Sequence, residues 1–268
     1  MKHILIPTDF SDGSMAAVRF AFDAFGTTGT HYILLHTIGD IVPSETLPEY
    51  VPMLLQTGKK ELHAFSEKCR ALKPEDTIEL TTVVDSGAVF FAIERVYEAQ
   101  PVDAVVLGAK GKGAATFWGT QTTDVVKMST RPVVVVPVEW QPGPIQRILY
   151  ADDRIHIRKR NTLSILVDLA KRYGSEIALV HVRVDQDEPL APSSLDKKSA
   201  WFQDVAHTST TIAAKDVQMG LEQLAGTGDY GMLAVLHHHV GWFDMIFHRS
   251  LAKKLALHTT LPLLVLYE

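Results

Sequence analysis

Apolar residues gather along this chain in two alternating patterns: short unbroken runs, and longer stretches in which they return every third or fourth position. The first pattern predicts strands buried on both faces, the second amphipathic helices. The run KHILI leads into Pro7-Thr8-Asp9 and then to GSMAAVRFAFDAF, a helix with Ser11 or Asp12 as its cap. THYILLHTI predicts the next strand. After a stretch bearing Pro43, Pro48 and Pro52, MLLQTGKKELHAFSEKCRAL predicts a helix. DTIELTTVV, VDAVVLG and RPVVVVPV then read as strands, separated by the helices GAVFFAIERVYEAQ and TQTTDVVKMS. Strands alternating with helices predict a parallel sheet covered on both faces.

The pattern then starts again. EWQPGPIQ, with two prolines and a glycine, interrupts any regular element, after which RILYADD echoes HILIPTD and SEIALVHVRVD echoes THYILLHTIGD, histidine included (His36 and His181). HTTLPLLVLYE echoes MSTRPVVVVPV, setting Pro262 opposite Pro132. A repeat of this length is a duplicated domain rather than a solenoid. The expected layout is domain 1 over 1–138, a linker over 139–146 and domain 2 over 147–268. The second copy is leaner: only a short helix fits before its third strand. LHHHVGWFDMIFHRS replaces LGAKGKGAATFWGTQ, so three of four glycines are lost.

Composition narrows the function. The 268 residues are 46% hydrophobic and carry 26 Lys and Arg against 31 Asp and Glu. No basic run is present to neutralise a phosphate backbone, so no nucleic-acid partner is expected. The opening residues turn polar too soon for a signal-peptide core and no apolar run reaches membrane-spanning length, so the expectation is a cytoplasmic protein with no membrane partner. Cys69 is the single cysteine and falls within a helical pattern.

The glycine-rich stretch GAKGKGAATFWGTQ, residues 108–121, follows a buried strand and opens a helix. Glycines let backbone N–H groups approach an anion closely, and the helix beginning at Thr120 and Gln121 adds the positive end of its dipole. Lys110 and Lys112 place cations at the rim. From the glycines alone the stretch is either a phosphate cradle or a flexible turn. It matches neither the Walker pattern nor G-x-G-x-x-G. In a doubly wound sheet this loop and the turn at Asp9 would converge beyond the strand ends, where ligands sit.

These residues together resemble the universal stress protein family: HILIPTDFS, LLHTIGD, and a G-x-x-G loop with a later Gly-Thr before RPVVVVP. The resemblance spans essentially the whole chain as two tandem domains. It implies an α/β fold of two doubly wound, Rossmann-like domains, each a five-stranded parallel sheet flanked by helices. Many members bind ATP through G-x-x-G, nine residues, then G-[ST]. Here Gly108 and Gly111 match the first pair, and Gly119 and Thr120 the last. Asp9 matches the aspartate near the adenosine, with Pro7 and Thr8 lining its turn, and Thr37 falls where a backbone contact to adenine is usual. One departure stands out: seven residues, not nine, separate Gly111 from Gly119. In the second domain Asp153 matches Asp9. His237 stands at the first glycine and Arg249-Ser250 at the Gly-Thr, so this half is expected to have lost the site. The resemblance also implies an adenine nucleotide as partner, with magnesium accompanying ATP. It further implies dimerisation through the last strand, met here within one chain as a pseudo-dimer of the two domains, with a homodimer as a further assembly.

His237 to His239, with His248 and His258, invite a metal, yet alternate direction along a strand and lack nearby carboxylates apart from Asp244; polar residues at a loop mouth are the simpler account. No nucleophile or metalloprotease motif appears. The expected function is a non-catalytic, ATP-binding stress-response module using the first-domain site. The alternative is an interaction protein with both sites closed.

Overall fold

In the computed structural model, residues 1–38, 50–109, 120–152, 157, 159, 161–184, 200–237 and 261–268 are described. The chain divides into two compact units, Met1–Pro142 and Gly143–Glu268.

Unit 1 contains β1 (Lys2–Pro7), α1 (Asp12–Phe25), β2 (Thr30–Ile38), α2 (Tyr50–Arg70), β3 (Glu79–Ser86), α3 (Val89–Ala99), β4 (Ala104–Gly108), α4 (Thr120–Met128) and β5 (Val133–Val136). Its strands run in the order β3-β2-β1-β4-β5 and every pairing is parallel. The order therefore reverses between β1 and β4, which opens a crevice beyond their carboxyl ends. Ile4, Leu5 and Ile6 of β1 and Ile33, Leu34 and Leu35 of β2 are wholly buried. Their continuous apolar runs are what helices on both faces require. The edge strand β3 is instead half polar and partly exposed, a composition that discourages further pairing.

Helix α1 closes on this sheet with a face of small residues, Ala16, Ala17, Ala21 and Ala24, set around the buried Phe20. Ser11 caps its start by accepting the Ser14 N–H at 3.3 Å, and Asp12 lies in the first turn where the helix dipole favours a negative charge. Gly26, at φ 74°, ends it.

Unit 2 repeats the plan with β6 (Arg147–Ala151), α5 (Ser164–Tyr173), β7 (Glu176–Arg183), β8 (His207–Ala213), α6 (Val217–Ala225), β9 (Met232–His237) and β10 (Leu263–Tyr267). Its order is β10-β9-β6-β7-β8, again parallel. Between β7 and β8 the described residues include one 3-10 turn, Ala200–Phe202, and Phe202 is wholly buried with its ring 6.1 Å from that of Tyr150.

The stretch read from sequence as a linker is packed at both ends. Trp140 is buried with its ring edge-on to Phe20 at 5.1 Å, inside unit 1. Ile145 is buried in unit 2, and its carbonyl accepts the Ser175 hydroxyl.

Candidate functional site

The crevice of unit 1 lies between the ends of β1 and β4, and a steric fit sets how close those ends come to α1. A Cβ on Gly108 would stand 2.1 Å from the Gly13 carbonyl oxygen and 2.8 Å from the Ser14 nitrogen; one on Gly13 would stand 2.6 Å from the Ala109 carbonyl oxygen. Only a glycine pair permits this approach. It seats the first turn of α1 directly against the root of the glycine-rich loop. Hydrophobic patterning passes over Gly13, yet the residue carries a sequence signal, because glycine inside a helix is otherwise unfavourable.

Asp9 stands at the mouth of this junction, exposed, with one carboxylate oxygen engaged three times. Its Oδ1 accepts the Ser11 N–H at 3.1 Å, the Ser11 hydroxyl at 2.5 Å and the Ser14 hydroxyl at 2.7 Å. The Ser14 Oγ in turn accepts the Asp9 N–H at 3.1 Å. Partial burial pushes the carboxyl up, but these serine and backbone bonds outweigh it, and Asp9 is held below the usual carboxylate range. In the sequence Ser11 is legible only as a helix cap, and Ser14 carries no signal of its own; their hold on Asp9 depends on the turn between them.

The neighbouring residues are fixed by β2. The Thr8 N–H donates to the Leu35 carbonyl at 2.8 Å, and the His36 Nδ1–H donates to the Thr8 carbonyl at 2.9 Å. Unit 2 repeats both bonds: the Asp152 N–H to the Val180 carbonyl at 2.8 Å, and the His181 Nδ1–H to the Asp152 carbonyl at 2.9 Å. The paired histidines of the sequence repeat therefore belong to the fold, tying the end of the first strand to the second.

Of the residues singled out from sequence, Pro7 ends β1 and is buried, Thr8 is buried, and Asp9 is exposed just beyond them. Thr37 is half-buried near the end of β2, in register with Asp85 of β3. Gly108 ends β4, and Thr120 and Gln121 begin α4. Lys110, Gly111 and Gly119 lie outside the described residues, as do Asp153, His238, His239, Arg249 and Ser250. His237 ends β9, buried, its ring 5.5 Å from that of Tyr267. Among the described residues no cluster of His, Cys, Asp and Glu is arranged to hold a metal ion, and no helix is long and apolar enough to cross a membrane.

The fold and this junction define a doubly wound α/β protein with an aspartate turn and the root of a glycine loop side by side at the point where strand order reverses. A family model described as the universal stress protein family matches residues 1–137, and the chain belongs to that family. The whole chain is similar in fold to a universal stress protein from Archaeoglobus fulgidus DSM 4304 (TM-score 0.74, 14% identity, covering 98% of this chain and 97% of that one). It is likewise similar to a functionally unknown protein from Pseudomonas aeruginosa PAO1 (TM-score 0.66, 11% identity, covering 100% and 92%). A universal stress protein solved in complex with cAMP is a more distant likeness (TM-score 0.38, 18% identity, covering 50% and 96%). No curated protein matches the chain.

Proposed function

We propose that this universal stress protein binds an adenine nucleotide, ATP foremost, in the crevice of unit 1, and that it acts by binding rather than by turnover. The observation that carries the reading is the Gly13–Gly108 contact, which seats the Asp9 turn beside the root of the 108–119 loop. Asp9 would face the ribose, the backbone at Thr37 the base, and the loop glycines Gly111 and Gly119 with the amino-terminal end of α4 at Thr120 the phosphates. Magnesium would accompany the triphosphate. The Asp9 carboxylate, lowered in basicity with one oxygen engaged by three donors, is a poor general base, which favours binding without chemistry.

The competing reading, an interaction protein with a closed site, draws on the seven-residue spacing between Gly111 and Gly119. Titration calorimetry with ATP and magnesium decides between them. Saturable binding that Gly111→Val abolishes supports the nucleotide reading; no heat at millimolar ATP removes it. Dimer formation belongs to the same proposal, and light scattering reads it: a mass near 29.7 kDa means a single chain, and twice that a homodimer.

A further inference from the structure

Phe10 is the one non-glycine residue at positive φ among the described residues, at 65°. A bulky side chain seldom occupies this left-handed region, where Cβ crowds the backbone. The conformation has a local consequence: reversal at Phe10 is what brings the Ser11 N–H and hydroxyl back onto the Asp9 carboxylate. An extended residue there would carry Ser11 away from it.

Three contacts hold Phe10 in place. Its N–H donates to the Thr8 Oγ1 at 3.0 Å. Its ring lies against the His36 imidazole, centroids 4.3 Å apart and planes tilted by 31°, and it also meets the ring of Phe65 of α2 at 5.6 Å. His36 is itself immobilised, bonded to the Thr8 carbonyl and backed by Gly58 of α2, where an added Cβ would stand 3.4 Å from the imidazole Cδ2. The histidine is common to both units, whereas Arg154 follows Asp153 where Phe10 follows Asp9. The aromatic clamp thus goes with the unit that keeps the glycine loop.

We infer that Phe10 is a positioning residue of the unit 1 site: its stack on His36 and Phe65 holds the left-handed turn that aims the Asp9 carboxylate, and so sets nucleotide affinity. The affinity half rests on the nucleotide reading above; the hold on Asp9 does not.

The test uses the full chain and two readouts. Carboxyl-carbon NMR follows the titration of Asp9, and calorimetry follows ATP. In the wild type and in Phe10→Tyr, Asp9 titrates below its ordinary 3.8. In Phe10→Ala and Phe10→Gly the midpoint moves up toward that value, and the Kd for ATP rises about tenfold, the loss expected for one misplaced charged hydrogen-bonding group. An unmoved Asp9 midpoint in both variants, with circular dichroism unchanged, overturns the inference. So does a glycine variant that keeps both wild-type values while the alanine variant loses them, because the backbone turn would then suffice without the ring. Should both variants unfold, Phe65→Leu thins the stack without touching the turn; a smaller upward shift of Asp9 supports the inference and no shift overturns it. Wild-type protein that binds no ATP removes the nucleotide reading instead, and the titration still decides the role of Phe10.

Discussion

A Cβ placed on Gly108 would lie 2.1 Å from the carbonyl oxygen of Gly13, so the end of β4 and the first turn of α1 meet backbone to backbone. Gly108 thus has a steric duty of its own within unit 1. Gly108→Ala therefore destabilises unit 1 in the absence of nucleotide, by about 3 kcal/mol or more, the upper end of what overpacking costs, since backbone rather than a rotatable side chain must yield. Urea denaturation measures this, and an unchanged midpoint would show that the two elements can part freely.

Nucleotide binding should appear as stabilisation. At a free ATP concentration about a hundredfold above Kd, linkage adds about 2.7 kcal/mol, which scanning calorimetry detects as a raised transition. Asp9→Ala removes both the expected ribose contact and the acceptor for Ser11 and Ser14. It is expected to abolish the ATP effect and to lower intrinsic stability by about 1 kcal/mol. A variant that still shows the full ATP shift would place the nucleotide elsewhere.

Acid sensitivity follows from two carboxylates of unit 1. Asp85 is held below its ordinary value, first by the Arg95 guanidinium at 2.7 Å, and Asp9 is held low by its serines despite burial. A carboxyl lowered on folding contributes stability that is present above its unfolded value and lost as pH falls through its folded one. Unit 1 should thus lose stability progressively below about pH 4, and Asp85→Asn should flatten that slope. Equal slopes for wild type and variant would count against the Arg95 pair.

Histidine adds a second, milder slope. His31 is lowered by burial and then by His3 beside it, whose ring lies edge-on at 5.6 Å, while Glu79 opposes the shift. Its unfolded form takes up a proton first, so stability declines as pH drops below 6.5 and levels off once the folded form is protonated too. Thermal melts of His31→Gln between about pH 5 and 7 should lack this decline; persistence would assign it to another group.

Burial pushes the Cys69 thiol up to about 12. At about pH 8 almost no thiolate exists in the folded state, so a disulfide reagent should label it only as fast as the protein opens. Immediate stoichiometric labelling of native protein would contradict the packing of α2.

Much of the fold was legible from patterning. The apolar runs Ile4-Leu5-Ile6 and Ile33-Leu34-Leu35 announce buried parallel strands because a strand covered on both faces has no polar side to show. The echo of HILIPTD in RILYADD announced the duplication, and the matched histidines marked equal places in it; both prove to bond the carbonyl just past the first strand of their unit. Proline and glycine at 142–144 break regular structure, but they give no sign that Trp140 packs on Phe20.

By itself the sequence determined the class of fold, the duplication, the family and the strand-end position of Asp9, because hydrophobic period and local motif are properties of neighbouring residues. Only the tertiary structure decided that Gly108 touches Gly13, that Ser11 and Ser14 converge on one oxygen of Asp9, and that Phe10 is held left-handed by His36 and Phe65. Those facts depend on the distance between backbones brought together from separate strands and helices, and on one dihedral angle, at Phe10, that a phenylalanine does not announce in advance.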